Sequence, residues 1–168
     1  MPEFRILAEQ MGVKLHRTRP FGIKKGLDNA FARHWSRQVI FGAELLQKLN
    51  KQEKFALAAH ELAHLKQIPG FSEILLLFCG VFLILYFLEA PDIMKILAFF
   101  AFFLILFVFL CWQREFEADA AAAKIVGAGT VISLLQKLRP PTYWDQDSET
   151  HPSIRRRICR LMRLWEGS

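Results

Sequence analysis

Apolar positions along this chain follow three regimes. Up to Ile68 they alternate with polar residues or recur at three- and four-residue spacing, among many charges. From Phe71 to Trp112 they run almost unbroken: "FSEILLLFCGVFLILYFLEAPDIMKILAFFAFFLILFVFLCW". From Gln113 onward helical spacing returns. The middle regime splits at "EAPD", where Pro91 marks a turn. Its halves, Phe71–Leu88 and Ile93–Trp112, would each form a helix roughly 27–30 Å long, matching a hydrocarbon core of about 30 Å. The pattern predicts a transmembrane hairpin, residues 71–88 and 93–112, with Glu73 at headgroup level.

The flanking regimes predict a small, mostly helical domain with a short antiparallel sheet. Residues 1–10 read as an amphipathic helix. "GVKLHRTRPFGIKKGLDNAFARHWSRQVIFG" reads as three strands, Val13–Arg17, Ala30–His34 and Arg37–Phe41. Helices follow at Ala43–Leu49 and at 51–68, the latter stopped by "PG". After the hairpin come a helix from Gln113 to Val126 stopped by Gly127, another from Thr130 to Leu138, a loop, and a basic helix from Ser153 to Trp165. The expected architecture is an α+β membrane protein: one domain over residues 1–168 with the hairpin inserted in it.

Composition sharpens this picture. The chain is 53% hydrophobic yet carries a net charge of +6, so the apolar excess is segregated. Every Lys and Arg except Lys95 precedes Ile68 or follows Trp112. That asymmetry places both flanks and both termini on the cytoplasmic side. No basic–aromatic interleaving suggests a nucleic-acid module. The N-terminus lacks the pattern of a signal peptide. Cys79, Cys111 and Cys159 lack zinc-knuckle spacing and are expected to be reduced, buried or half-buried thiols.

Chemistry enters at His60-Glu61-Leu62-Ala63-His64. On a helix, His60 and His64 are four apart and share a face. Two such imidazoles can grip one Zn²⁺ with Glu61 beside the open position; two surface histidines flanking an acid is the plainer alternative. A catalytic zinc site needs a third protein ligand. The hairpin must return Gln113 to the side it left, so the acids of "REFEADA" arrive level with His64. Glu115 and Asp119 share a face, whereas Glu117 points about 200° away. Ala58, Ala59 and Ala63 on one helix, and Ala118 and Ala120–Ala123 on the other, permit close approach. An acidic helix start favoured by the macrodipole is the alternative for these carboxylates.

HELAH, the apolar hairpin, "REFEADAAAAKIVG", the later "THPS…R" and the Asn-Ala-Phe-Ala strand segment together resemble the membrane-embedded zinc metalloproteases that include HtpX and the CAAX prenyl protease. The resemblance implies a zincin-like catalytic domain with one Zn²⁺ per chain, held by His60, His64 and Glu115. It makes Glu61 the general base and hydrogen-bonds Asp119 to a ligand histidine. It brings His151 and Arg157 to the site, to stabilise the oxyanion or hold the loop; a phosphate-facing role for "RRR" at 155–157 is the alternative. HtpX has two further spans before the sheet, where this chain has a soluble-looking segment. That difference bears on gating and substrate access.

The implied function is a zinc-dependent endopeptidase at the cytoplasmic face of the cell membrane, in membrane-protein quality control or processing. Its partners would be peptide or membrane-protein substrates and lipids. An extended substrate would add to the sheet edge at Arg37–Phe41. His16 and His34 are read as ordinary surface or core residues. The stripe Ile154, Ile158, Leu161 and Trp165 suits a core-facing helix that also meets anionic lipid. Two alternatives are an inert zinc-binding membrane scaffold and a site-2-type intramembrane protease. The charges Lys51, Glu53, Lys54 and Lys66 keep the HELAH helix outside the hydrocarbon and argue against the latter.

Overall fold

The computed structural model describes residues 2–67, 79–80, 83–84, 86 and 92–166. The first helix, α1 (Pro2–Gln10), is followed by strands β1 (Phe21–Lys24), β2 (Ala30–Arg33) and β3 (Gln38–Gly42). Helices α2 (Ala43–Lys48), α3 (Lys51–Lys66), α4 (Asp92–Val126), α5 (Ala128–Leu138) and α6 (Ile154–Glu166) complete the chain, with a 3₁₀ turn at Pro141–Tyr143.

The sheet is mixed, in the order β1-β3-β2, with β1 parallel and β2 antiparallel to β3. This corrects the antiparallel expectation in two ways. Val13–Arg17 is not a strand; the His16 ring instead accepts from the Thr18 and Arg19 amides and turns the chain. Phe21–Lys24 takes its place because Phe21 packs on Phe4 and Phe41, with ring centroids at 5.7 and 6.2 Å. β1 then occupies the side of β3 that β2 leaves open. The 25–29 connection is held by Glu44, which accepts from the Gly26 and Leu27 amides. Gly42 must be glycine, because a Cβ there would run into the Leu27 carbonyl. β3 is therefore the central strand, and Val39 and Phe41 are fully buried. The open edges belong to β1 and β2, not to Arg37–Phe41.

Helix α3 begins with a capping box: the Asn50 side chain accepts from the Glu53 amide, and Glu53 accepts from the Asn50 amide. It packs on β2, α4 and α5. Ala58, Ala59 and Ala63 of α3 and Ala118, Ala122 and Ala123 of α4 are all buried, and such small side chains let two packed helices approach closely.

The apolar run 93–112 and the helix expected from Gln113 are one continuous element, α4, of 35 residues. No Gly or Pro interrupts the junction at Leu110–Arg114, so the carboxylate-bearing turns extend rigidly from the apolar segment. None of the most apolar stretch of α4 is buried, and side chains such as Leu97, Phe100 and Ile105 are exposed. Among the described residues it is the one helix long and apolar enough to cross a membrane. The predicted span 71–88 lies outside the described residues, apart from five positions that are helical. Gly127, at φ 86°, separates α4 from α5. The three thiols are free, with Cys79 and Cys159 exposed and Cys111 half-buried. On α6, Ile154 and Leu161 face the core while Trp165 is half exposed.

Candidate metal centre

Three elements converge on the third and fourth turns of α3. That helix supplies His60, Glu61 and His64, α4 supplies Glu115 and Asp119, and α6 supplies Arg157. His60, Glu61, Glu115, Asp119 and Arg157 are all buried. His64 Nε2 is 3.1 Å from His60 Nε2 and 3.2 Å from Glu115 Oε1, and His60 Nε2 is 3.6 Å from Glu115 Oε2. These three residues offer ligand atoms within 4.8 Å of one another and could hold a metal ion.

The donor set fits a tetrahedral zinc. Ligands bound at about 2.0 Å with tetrahedral angles lie about 3.3 Å apart; the three separations above bracket that value, each imidazole meeting a different Glu115 oxygen. Both imidazoles point Nε2 inward because Nδ1 is engaged elsewhere. His60 Nδ1 is 3.0 Å from Asp119 Oδ1, and His64 Nδ1 is 3.0 Å from Gln67 Oε1. Two facing lone pairs at 3.1 Å call for a proton or a cation between them. Glu115 Oε2 is buried without a hydrogen-bond donor. Arg157 Nη1 lies 3.0 Å from it, close enough for charge but outside hydrogen-bond geometry. Three buried carboxylates (Glu61, Glu115 and Asp119) face one buried guanidinium, Arg157. A proton on His60 or a bound cation would offset the excess.

Arg157 is a clamp. Its Nε and Nη2 donate to the two Asp119 oxygens at 2.7 and 2.6 Å, a bidentate pair. Burial by itself would raise the Asp119 carboxyl; the charge and hydrogen bonds of Arg157 overcome this and hold it below the usual carboxylate range. Burial opposes charge on His60 too, but the Asp119 carboxylate, which accepts from Nδ1, and the adjacent Glu115 carboxylate push it up to about 10. Burial raises the Glu61 carboxyl, and the nearby His60 and His64 only partly offset it. Of the three consecutive arginines, Arg155 and Arg156 turn outward to Asp145 and Asp147, at 3.1 and 3.0 Å. Only Arg157 reaches the cluster.

A cleft of about 440 Å³ opens over these groups. One wall is β2 with Asp28 and Asn29; the other is Leu134, Leu135 and Leu138 of α5 with His151 of the loop before α6. His34, expected to be an ordinary residue, lines this cleft. His151 Nε2 is 3.7 Å from Glu115 Oε1, with its side chain about half exposed. The His151 loop is fixed: Ser148 and His151 exchange three hydrogen bonds, and the Trp112 indole donates to the Ser148 carbonyl.

Two residues at this centre have no place in the sequence reading. Gln67 donates through Nε2 to the Arg114 carbonyl at 2.9 Å and to Glu117 at 3.4 Å, which leaves its Oε1 to accept from His64. The signal was available, since Gln67 lies three residues after His64 on the same helical face. Thr150, 2.8 Å from His151 Nδ1, stands in the quoted THPS, where only His151 is given a role. Glu117 is exposed, as the helical phase predicts.

Known proteins resemble this chain in sequence and in shape. The profile of Peptidase family M48 matches residues 3–164. Protease HtpX of Chromohalobacter salexigens is 29% identical over 164 residues, covering 81% of this chain and 54% of that protein. A Protease HtpX homolog of Neisseria meningitidis is 29% identical over 176 residues, covering 81% and 62%. The chain thus spans a little over half the length of the curated relatives it matches. The crystal structure of S. mikatae Ste24p superposes with a TM-score of 0.62 at 17% identity, over 95% of this chain and 48% of that one. That similarity is one of fold.

Proposed function

This chain belongs to peptidase family M48, and from that premise we propose that it is a membrane-bound zinc endopeptidase. The observation that carries the proposal is the convergence of His60 Nε2, His64 Nε2 and Glu115 at tetrahedral spacing, beside a buried glutamate and beneath an open cleft. His60, His64 and Glu115 would hold the ion, with Asp119 and Gln67 orienting the two imidazoles. When bound, zinc supplies Lewis acidity and a water that ionises near neutral pH.

The remaining steps fall to side chains. An extended substrate adds to the open edge of β2, the strand that walls the cleft. Leu134, Leu135 and Leu138 offer an apolar surface to one of its side chains. Glu61 takes a proton from the attacking water and delivers it to the leaving amine. His151, half exposed on the opposite wall, donates to the developing oxyanion. Arg157 is buried with Nε and Nη2 committed to Asp119 and its charge beside Glu115, so its part is to hold the carboxylates in place.

Helix α4 would cross the bilayer, since none of its most apolar stretch is buried and most of the apolar side chains there are exposed. With 71–88 it would form the hairpin, and the Lys/Arg distribution supports a cleft on the cytoplasmic side. The substrates would be peptides or membrane proteins reaching that face. The test is the Glu61→Gln variant in detergent with casein and with a denatured membrane protein. Zinc should be retained and cleavage lost. Cleavage at the wild-type rate would reject the mechanism, and a wild-type chain that binds zinc but cleaves neither substrate would favour the scaffold reading.

A further inference from the structure

The turn between β2 and β3 projects a tryptophan that no described residue covers. Trp35 is 103% exposed, the most exposed of the large apolar side chains described. It belongs to a four-residue turn, His34–Arg37, closed by the Arg37 amide donating to the His34 carbonyl at 3.3 Å. Arg37 adopts φ 51°, a conformation unusual for a side-chain-bearing residue. Its guanidinium compensates by donating to the Lys14 carbonyl at 2.8 Å and the Leu65 carbonyl at 2.7 Å. The turn is thus pinned, and Trp35 is held out on a rigid tip.

The position of that tip follows from the same bonds. Leu65 is in the last turn of α3, six residues before the apolar run that starts at Phe71. Gln67 bonds to the Arg114 carbonyl, two residues after the apolar run ends at Trp112. The α3 end, the α4 exit and the turn carrying Trp35 therefore lie at one level. Five cations and no acid occupy residues 14–19 and 33–37: Lys14, Arg17, Arg19, Arg33 and Arg37. The two segments are joined by the His16 amide donating to the Arg37 carbonyl and by the Gln38 side chain donating to the Arg19 carbonyl. Lys14, Arg17, Arg19 and Arg33 are exposed.

We propose that this turn and the 14–19 loop form an interfacial anchor, with Trp35 seated in the headgroup layer and Lys14, Arg17, Arg19 and Arg33 drawing anionic phospholipid around it. Tryptophan suits that layer because its ring is apolar while its N–H still finds a partner. Cations at the surface of an anionic leaflet are attracted within a Debye length. A rigid, cation-ringed tryptophan level with a membrane-spanning helix matches that surface better than it matches an apolar protein groove. The consequence concerns the cleft. β2 runs directly into this turn, and His34 lines the cleft, so the anchor holds the open strand edge against the membrane surface. A chain emerging from the bilayer meets the cleft at that end. This proposal rests on the reading of α4 as a membrane span.

The test uses the whole chain reconstituted in vesicles of phosphatidylcholine with phosphatidylglycerol. Subtracting the emission of Trp35→Phe from that of the wild type isolates Trp35 from the other three tryptophans. The expected difference spectrum is blue-shifted, quenched by brominated lipid and insensitive to aqueous iodide. In parallel, alkaline carbonate should leave the protein in the membrane. A Trp35 signal quenched by iodide and untouched by brominated lipid, in protein that resists carbonate, overturns the anchor while the span stands. Extraction by carbonate removes the span and the anchor with it. Equal bromolipid quenching in phosphatidylcholine alone overturns the part assigned to the cations.

Discussion

Helix α3 carries a buried polar cluster at each end, and the two differ in kind. At its start Glu53 is 1% exposed and fully satisfied. It accepts from the Asn50 amide, from Ser133 at 2.7 Å and from Lys137 at 2.7 Å. The charges pair one to one, and none of these residues lines the cleft over the metal centre. At its far end the carboxylates outnumber the guanidinium three to one, one oxygen has no donor, and a cleft lies above. A closed, neutral, satisfied network contributes to stability and specifies packing. An open network with excess negative charge costs stability unless a cation joins it. Where the rules of polar burial are broken, chemistry is expected.

The comparison is broken most directly at Glu61. Glu61→Gln should lower kcat by about 10³-fold or more, within the range for loss of a general acid–base, with the melting temperature and zinc content unchanged. Activity assays and metal analysis on one preparation check this. The next largest effect belongs to the clamp. Arg157→Ala leaves Asp119 buried with only the His60 ring beside it, which should destabilise the fold by about 3–5 kcal/mol. Asp119→Asn keeps the volume and should weaken zinc binding by about 10–100-fold, read by competition with a chelating dye.

The closed cluster should respond in the opposite way. Glu53→Gln should lower stability by about 2–3 kcal/mol through its lost charged hydrogen bonds, while zinc affinity stays at the wild-type value. Burial tends to raise the Glu53 carboxyl, but Lys137, Asn50 and Ser133 outweigh it and hold it below its ordinary value. Its contribution is therefore fully present above the ordinary carboxyl value and is lost as pH falls through the depressed one. The stability gap between wild type and Glu53→Gln should close on acidification, which denaturant titrations at several pH values would show. The smallest effect is expected at Gln67. Gln67→Leu frees His64 Nδ1 and should weaken zinc binding by about tenfold without altering the rank order of substrates.

Local pattern carried much of this arrangement. HELAH at i, i+4, the return of the chain at Gln113 and the shared face of Glu115 and Asp119 together predict the cluster that forms. The helices of the soluble flanks were legible from apolar spacing and from Gly127. The sheet was not, because β1 pairs with β3 across an intervening strand, and its selection depends on Phe21 meeting Phe4 and Phe41. No local rule distinguishes Phe21–Lys24 from Val13–Arg17. Arg157 was marked by its spacing from His151, but its separation from Arg155 and Arg156 depends on where α6 packs. Glu53 and Lys137 are 84 residues apart, and nothing in the pattern links them.

The central claim is that Glu115 completes a metal site with His60 and His64. Zinc content of the purified chain, measured by mass spectrometry for wild type, Glu61→Gln and Glu115→Ala under one protocol, tests it directly. One zinc per chain is predicted for the first two, and loss of most of it for Glu115→Ala despite an unchanged circular dichroism spectrum. Undiminished zinc in Glu115→Ala would contradict the account.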